Sequence, residues 1–395
     1  MTQNIGKSSL RGLRGCKIQK ILGFVSARNE NTLLTLTVSH ALMNGCSEVC
    51  ILVHNSNQDF KEEVSLLAKL WPNKIHIYYQ EEFQFHQASA VHVIRFLLQS
   101  QNYDWIYVFD ADEFIVQSEN FSICHFLEGV PPEIQSVRYV VRNWISHYDF
   151  ELNQYKEFLN INHVSEPQIN SHPNIGILKE KIKTNVVNFF DLPFPSKIIF
   201  RANAPYRLAA GAHKLEGYPE NIEISVDCEL FQIAHLPFLT MSRLALRVQH
   251  GENLVLSKYP EGHAWQEQML FEIDRASGLD NFWISHSIST SERNQNSKKP
   301  FAKVSVVFRN AIEPTINTLN ELNTKNVSDE ISPLRIIDIS SLVNFGEFTS
   351  RFNLEREILA ERDHAVAERD HVQESTIWKC FKPYRSLKSK FISFK

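Results

Sequence analysis

Three carboxylates stand directly after a short run of aromatic and β-branched residues, and their spacing suits a divalent cation. Residues 105–110 predict a buried strand, with Asp110, Asp112 and Glu113 at its end. Grouped carboxylates repel one another, and a bound cation offsets that repulsion. In an extended chain Asp110 and Asp112 project from the same side. The motif therefore predicts one ion that bridges the chain to a phosphorylated ligand. The alternative is a plain turn or a helix N-cap.

Alternating strands and helices precede the motif and would place it at one edge of a sheet. Hydrophobic patterns predict strands at residues 19–26, 48–54, 74–79 and 105–110, and helices at residues 32–44, 60–70 and 88–99. This alternation is typical of an α/β fold with a mostly parallel sheet flanked by helices. Ligands of such sheets bind beyond the carboxyl ends of the strands. Asn29, Glu30, Asn55 and Asp110 all follow strand ends, so we expect them to meet there.

The chain after Asp112 carries weaker signals. A further strand is predicted at residues 136–144, and short strands are predicted at residues 197–201, 206–208 and 230–235. Residues 239–250 have the spacing of an amphipathic helix, and Gly251 would follow its end.

Bulk composition excludes several classes of protein. The chain has 395 residues, 43% hydrophobic and 22% charged, which is typical of a globular protein. The net charge of −4 gives no basic field, so we expect no nucleic-acid partner. Six cysteines without zinc spacing indicate free thiols in a reducing compartment. The N-terminus lacks the apolar core of a signal peptide, and no apolar run is long enough to span a membrane. We therefore expect a cytoplasmic location.

The C-terminal part differs from the rest. Residues 361–367 and 368–374 form a near-repeat beginning Glu-Arg-Asp-His, with a thin apolar seam. This pattern predicts either a solvated helix or a short coiled coil with weak self-association through residues 350–374. Residues 378–395 hold six Lys or Arg and no acid, interleaved with aromatic residues. That composition suits peripheral contact with an anionic inner-membrane surface. A disordered tail or a helix docked on the rest of the chain is the alternative.

Two of these segments together resemble the GT-A glycosyltransferases, and in particular a family-two-like bacterial group. The likeness rests on Ala-Arg-Asn-Glu at 27–30 and Asp-Ala-Asp-Glu-Phe at 110–114, with further similarity at 195–201, 212–214 and 234–237. It implies a Rossmann-like GT-A domain at residues 19–250, after a flexible segment at residues 1–18. Residues 251–346 would be a helical or irregular part of the catalytic region, and residues 347–395 a helical, coiled-coil-like extension with its tail.

The resemblance also implies a nucleotide-diphosphate-sugar donor and a bound Mn²⁺ or Mg²⁺ ion. Asp112 would coordinate the metal, and Asp110 would contact the ribose or the metal through water. The other residues that the resemblance assigns are nucleotide-lining Ala27, Asn29 and Glu30, metal or diphosphate ligands His213 or His235, and phosphate contacts Lys197 or Arg201. The alternatives are hydrogen-bonded structural histidines and plain surface charges. Family-two enzymes usually read the base with an aspartate where this chain has His54, although Asn55 could still bond a base.

An inverting transfer also needs a carboxylate that takes the proton of the acceptor hydroxyl. By resemblance this base lies after the carboxylate motif, and Asp149 is the first candidate with Asp191 second. Glu113 is too close to the motif in sequence and is interpreted as a structural acid. The resulting hypothesis is a metal-dependent, inverting glycosyltransferase that acts on an envelope glycan, polysaccharide or lipid-linked acceptor. A degenerate transferase domain that serves as a binding or scaffold protein is the alternative.

Overall fold

The computed structural model describes residues 19–80, 91, 94, 95, 98, 101–152, 154–169, 175–217, 222–256, 265–292, 299, 302–324 and 336–338. The chain divides into two units, Met1–Ser340 and Ser341–Lys395, and every described residue belongs to the first. The predictions for residues 1–18, 350–374 and 378–395 lie outside the described residues, as does most of the predicted helix at 88–99.

The first half of the domain alternates strands and helices as the sequence predicts. Its elements are β1 (Ile21–Ala27), α1 (Leu33–Met43), β2 (Cys46–His54), α2 (Gln58–Leu70), β3 (Ile75–Gln80), β4 (Trp105–Phe109), β5 (Glu113–Gln117), α3 (Ile123–Glu128) and β6 (Ser136–Ile145). Helix α2 begins after Asn57, whose side-chain oxygen accepts the backbone N–H of Phe60. An N-cap of this kind satisfies one of the free N–H groups of a first turn.

The second half contains shorter strands and most of the remaining helices. These are β7 (His163–Ser165), α4 (Ile175–Lys183), β8 (Lys197–Arg201), β9 (Arg207–Leu208), β10 (Leu215–Glu216), β11 (Glu223–Ser225), β12 (Phe231–His235), α5 (Met241–Leu256), α6 (Trp265–Ser277), α7 (Asp280–His286), β13 (Ala302–Val304), α8 (Val307–Thr324) and β14 (Ile336–Asp338). Short 3-10 turns cover Tyr155–Asn160, Phe189–Asp191, Ala210–Ala212 and Thr290–Glu292.

The central sheet has the order β13-β7-β6-β8-β4-β1-β2-β3-β14. Strands β4, β1, β2, β3 and β14 are parallel neighbours, and β8 is inserted antiparallel between β4 and β6. Strand β12 leaves this path, because it pairs parallel with β6 and antiparallel with β5. The predicted α/β fold with a largely parallel, helix-flanked sheet is confirmed and is consistent with a Rossmann-like GT-A fold.

Strand β1 shows why the sheet is buried on both sides. Ile21 and Val25 pack into one hydrophobic cluster, whereas Leu22 and Phe24 pack into another on the opposite face. Alternate residues of a strand point to opposite faces, so a run that is apolar throughout needs cover on both. The four described cysteines are free thiols, as expected. In the described part of the chain, every helix is too short or too polar to cross a membrane.

Two local features differ from what the sequence indicated. Strand β5, which begins at Glu113 directly after the carboxylate motif and pairs with β12, was not predicted. Gly251 was expected to follow the helix predicted at 239–250, but it lies inside α5. Its missing side chain lets the backbone of Glu267 in α6 approach closely, since a Cβ at Gly251 would collide with it. The predicted domain boundary at residue 250 therefore falls within a helix.

Candidate active site

The polar segments after β1, β2 and β4 meet at one edge of the sheet. Strands β1 and β4 are parallel, and Val25 is in register with Phe109, so the residues after each strand are neighbours. Strand β12 reaches the same place, because His235 is paired with Glu113. Backbone contacts fix the turn between β4 and β5: the Thr37 hydroxyl donates to the Ala111 carbonyl at 2.5 Å, and the Leu236 N–H donates to the Asp112 carbonyl at 3.0 Å.

Asp110 and Asp112 do not share one side of a strand. The chain leaves β4 at Phe109, and the Glu113 N–H donates to the Asp110 carbonyl at 3.1 Å to form a turn. Within this turn the Asp110 side chain is 45% exposed, whereas the Asp112 side chain is only 8% exposed. The two aspartates therefore face different partners, and the prediction from an extended chain was wrong on this point.

Asp110 is paired with a buried cation from β8. Lys197 Nζ lies 2.8 Å from Asp110 Oδ2 and 2.6 Å from Glu113 Oε1. The Lys197 side chain is 2% exposed, and Glu113 is fully buried. The predicted phosphate contact and the alternative of a surface charge both fail for Lys197, because two carboxylates of the protein already surround its ammonium group. Glu113 is the structural acid that the sequence indicated, since its Oε2 also accepts the Asp110 N–H.

Burial sets the charge balance of this group. It raises the pKa of Glu113 to about 8, and the nearby Asp110 and Asp112 add to the rise while Lys197 opposes it. Burial on its own would lower the pKa of Lys197, but Asp110 and Glu113 outweigh it and hold that pKa above its usual value. Burial therefore opposes a negative charge on Glu113, whereas the neighbouring carboxyl groups hold the ammonium group of Lys197 in its charged form.

Asp112 lies between a histidine and an arginine. His235 Nε2 is 3.7 Å from Asp112 Oδ1, and Arg243 Nη2 is 3.6 Å from Asp112 Oδ2. Arg243 also pairs with Glu30 of the β1–α1 loop at 2.8 Å. Although burial lowers the pKa of Arg243, the charges of Glu30 and Asp112 raise it above its usual value overall. Arg243 therefore joins the β1–α1 loop to the carboxylate motif.

Sequence reasoning missed Arg243, although one signal was available. Residues 230–235 were predicted as a strand and 239–250 as a helix, so the first turn of that helix had to lie near the end of the strand. Arg243 is in that first turn, where its N–H donates to the Thr240 hydroxyl at 3.1 Å.

His235 presents a bare nitrogen to Asp112. Its Nδ1 lies 2.7 Å from Asn143 Oδ1, and because a carboxamide oxygen only accepts, Nδ1 carries the hydrogen. Burial lowers the pKa of His235 to about 4, against the opposing effect of Asp112, so the ring is neutral at pH 7. The Phe194 ring packs against it at 4.3 Å between centroids, with the two planes tilted by 48°. A neutral imidazole with an available lone pair is a ligand for divalent metals.

Asp112 and His235 fit a divalent cation that a ligand completes. Within the described ranges, no group of three or more His, Cys, Asp and Glu side chains is arranged to hold a metal ion. Two buried acceptor atoms that face each other at 3.7 Å can nevertheless share one ion. Mg²⁺ in particular is commonly held by one or two carboxylates, with phosphate oxygens and water as the other ligands. The donor set therefore suits a cation that arrives with a phosphorylated ligand.

The predicted nucleotide-lining residues lie in loops that are tied together. Ala27 is the buried last residue of β1, and Asn29 Oδ1 accepts the Asn57 N–H at 3.0 Å. Asn55 donates its backbone N–H to the Gln80 carbonyl at 2.8 Å. Asn29 and Asn55 both have positive φ, at 54° and 40°, a region that asparagine tolerates better than most residues. Hydrogen bonds thus connect these loops to each other and to β3.

Arg201 lies at the wrong end of the sheet to contact a phosphate at this site. It is paired with Trp105 at the start of β4, about 16 Å along the strand from Asp110 at roughly 3.3 Å per residue. Its guanidinium donates to the backbone carbonyls of Ile134 and Val130, and it stacks over the Trp105 ring at 4.4 Å. These contacts correct the predicted phosphate role of Arg201.

The remaining candidates, His213, Asp149 and Asp191, have different surroundings. His213 is close to Lys197: its Nδ1 donates to the Ser196 carbonyl at 3.0 Å, and its ring lies 6.4 Å from that of Phe194. Burial, the largest influence, lowers the pKa of His213. Asp149 is an exposed residue beyond the end of β6. Asp191 forms a capping box with Asn188, whose N–H donates to Asp191 Oδ2 at 2.8 Å.

Solved structures include chains that are similar to part of this one. No family model and no curated protein matches the chain. Among solved structures, that of S. aureus TarS is similar over 67% of this chain at 12% identity and a TM-score of 0.27. The matched region spans 45% of the TarS chain. A likeness of this degree carries no argument about function, which depends on the site itself.

Proposed function

We propose that the protein is a glycosyltransferase that uses a nucleotide-diphosphate-sugar donor and a divalent cation held by Asp112 and His235. The observation that carries the proposal is the pair of buried acceptor atoms, Asp112 Oδ1 and His235 Nε2, 3.7 Å apart at the carboxyl edge of the sheet. Open α/β sheets bind ligands at this edge. A Mn²⁺ or Mg²⁺ ion in this place would stabilise the negative charge that a leaving nucleoside diphosphate acquires.

The residues around Asp112 have separate parts in this proposal. Asn29, with the loop that Asn57 anchors to it, lines the nucleotide, and Asn55 is placed to bond its base. Glu30 fixes Arg243 beside Asp112 and so keeps the edge of the site in one arrangement. Asp110 stays paired with Lys197, from where its exposed face can contact a ribose or a water molecule of the cation. His213, behind the Phe194 ring, is a further ligand candidate for the diphosphate.

The acceptor side of the reaction concerns the base that activates the acceptor hydroxyl and the acceptor itself. Asp149 remains the candidate base of an inverting transfer, because it is exposed on the loop that continues β6, the strand that carries Asn143. Asp191 is the second candidate, although its carboxylate already accepts the Asn188 N–H in a capping box. The acceptor would be a glycan or a lipid-linked glycan in the cytoplasm, with residues 378–395 in peripheral contact with the inner membrane and residues 350–374 in weak self-association.

Thermal unfolding in the presence of candidate donors tests the donor site. UDP-, GDP- and CDP-sugars are added with and without Mn²⁺ to the wild type, to Asp112→Asn and to Asp104→Asn. Asp104 is the matched control, because it precedes the same strand at the opposite end, where its carboxylate accepts the Lys20 N–H. A ligand at one hundred times its Kd stabilises a protein by about 2.7 kcal/mol.

The proposal expects metal-dependent stabilisation by one class of sugar nucleotide in the wild type and in Asp104→Asn, and none in Asp112→Asn. Sugar release from that nucleotide should then follow the same order of variants. Stabilisation that persists in Asp112→Asn would remove Asp112 from the donor site. No stabilisation by any of the three nucleotides would favour a binding or scaffold protein instead.

A further inference from the structure

Asn143 is a buried polar residue whose role lies beyond the donor site as proposed so far. It belongs to β6, is 2% exposed, and is in register with His235 on the neighbouring parallel strand β12. Residues in register on neighbouring strands have their side chains on the same face of the sheet. The Asn143 carboxamide therefore reaches the edge of the His235 ring that faces away from Asp112.

The contact with Asn143 determines which ring nitrogen of His235 carries no hydrogen. Without a partner, a neutral histidine exchanges its hydrogen between Nδ1 and Nε2. Asn143 Oδ1, 2.7 Å from Nδ1, can only accept a hydrogen bond and so favours the hydrogen on Nδ1. Nε2, 3.7 Å from the Asp112 carboxylate, is then left with its lone pair. The opposite tautomer would point an N–H at Asp112 and block a cation from that place.

The ring of His235 is also fixed in orientation. Phe194 covers it at 4.3 Å between centroids, with an angle of 48° between the planes. His235 is 4% exposed, so water does not compete for either ring nitrogen. The hydrogen bond that His235 Nδ1 donates to Asn143 Oδ1 is therefore the polar contact that sets the tautomer, and the packing of Phe194 limits rotation of the ring.

We infer that Asn143 is a positioning residue: it holds His235 in the Nδ1–H form, so that Nε2 and the Asp112 carboxylate together bind a divalent cation. This inference rests on the proposed function, since it concerns the cation of the same site. Hydrogen-bond partners behind a metal-binding histidine fix its orientation and tautomer, and their loss typically weakens metal affinity ten- to a hundredfold.

Two substitutions separate positioning from packing. Asn143→Leu keeps the approximate size of the side chain and removes the acceptor, whereas Asn143→Asp keeps an acceptor for the Nδ1 hydrogen. Thr315→Val is the matched control, because Thr315 is the buried hydroxyl partner of a different buried histidine, His40, at 2.9 Å. It loses a comparable hydrogen bond outside the candidate site.

The tautomer is measured directly on the full chain labelled with ¹⁵N-histidine. Nitrogen chemical shifts and their couplings to ring protons show which nitrogen carries the hydrogen, and the His235→Gln spectrum identifies the signals of His235. The inference expects the Nδ1–H form in the wild type and in Asn143→Asp, with a shift toward Nε2–H in Asn143→Leu. An Nε2–H form in the wild type would overturn it.

Binding of Mn²⁺ alone, followed by the electron paramagnetic resonance signal of the free ion, gives the second readout. Asn143→Leu should bind Mn²⁺ about ten- to a hundredfold more weakly than the wild type, while Asn143→Asp and Thr315→Val should stay within about threefold of it. Equal affinity in Asn143→Leu and the wild type would overturn the inference alone. A wild type that binds no Mn²⁺ would overturn the proposed metal-dependent function and this inference together.

Discussion

The ammonium group of Lys197 lies 2.8 Å from the carboxylate of Asp110, so one acid of the predicted metal motif has a cation of the protein as its partner. The same ammonium lies 2.6 Å from Glu113, which is fully buried. Lys197 thus offsets the repulsion between these carboxylates. From the sequence, that role was predicted for a bound ion. Of the three carboxylates, Asp112 is the one left to face His235 and Arg243.

Replacement of Lys197 by methionine should destabilise the fold strongly. Removing one partner of a buried ion pair leaves an uncompensated charge and typically costs about 3–5 kcal/mol. Urea unfolding of Lys197→Met, compared with the wild type at pH 7, measures the loss. The double variant Lys197→Met/Asp110→Asn should recover part of it, because the carboxylate that pairs with the Lys197 ammonium group is then absent as well. A loss below about 1 kcal/mol in the single variant would contradict the buried pairing.

Replacement of Arg243 by glutamine should loosen the edge of the site. Arg243 is the cation beside both Glu30 and Asp112, and its side chain is 11% exposed. We expect a stability loss of about 3 kcal/mol, at the lower end of the range for a buried pair. Arg207→Gln is the control, because Arg207 and Glu216 form a partly exposed pair with a long separation of 3.9 Å. Loss of this pair should lower stability by less than about 1 kcal/mol.

The same pair of variants carries a second expected result. Donor-induced stabilisation should fall in Arg243→Gln, because Glu30 loses the contact that holds the β1–α1 loop. Arg207 pairs with a residue of the short β9–β10 hairpin, so its variant should respond to the donor as the wild type does. Equal donor responses in the two variants would show that the loop keeps its place without Arg243.

The variants Asp149→Asn and Asp191→Asn should differ in their rates of sugar transfer. Asp191→Asn keeps an oxygen that can accept the Asn188 N–H, so stability and sugar transfer should both stay near the wild type. Asp149→Asn should reduce transfer by about a hundredfold or more, as expected for loss of a general base. Transfer rates and urea midpoints of both variants decide the assignment. A large loss of transfer in Asp191→Asn alone would make Asp191 the base.

Local pattern predicted several of the strands and helices, because each periodicity is contained in a few neighbouring residues. The strand at 197–201 has the predicted bounds, and α1 and β6 differ from theirs by one residue. The partners within the site come from distant parts of the chain. Asn143 and His235 are 92 positions apart, and Glu30 and Arg243 are 213 positions apart. The pair of Asn143 with His235 follows from the register of β12 with β6, which no local pattern contains.

The carboxylate motif shows a second limit of local reasoning. A run of carboxylates gives no sign that a buried lysine 87 positions later in the chain offsets it. Strand β5 covers only Glu113–Gln117 and directly follows Asp110 and Asp112. Because Glu113 was interpreted as part of the carboxylate motif, the short apolar run after it was not recognised as a strand. The position of the motif could be predicted, whereas the direction of each carboxylate depended on the turn between the two strands.

Protonation of His40 should weaken the fold in mild acid. His40 of α1 is buried, donates from Nε2 to the Ile115 carbonyl at 2.6 Å, and accepts the Thr315 hydroxyl of α8 at Nδ1. Burial lowers the pKa of His40 to about 4, although its bond to Ile115 opposes the shift. Because the unfolded chain has a histidine pKa near 6.5, it binds more protons than the folded chain between those two values. The contribution of His40 is complete above pH 6.5 and is lost as the pH falls toward 4.

His40→Gln should therefore flatten the pH dependence of stability. At 1.36 kcal/mol for each unit of pKa difference, His40 accounts for about 2 kcal/mol of the stability that the wild type loses between pH 7 and pH 4.5. Urea unfolding at half-unit pH steps should show a loss smaller by that amount in His40→Gln, even if this variant starts from a lower stability at pH 7. His125→Gln, on the exposed side of α3, should follow the wild-type slope. Parallel curves for His40→Gln and the wild type would mean that the folded chain takes up the proton at His40 as readily as the unfolded chain does.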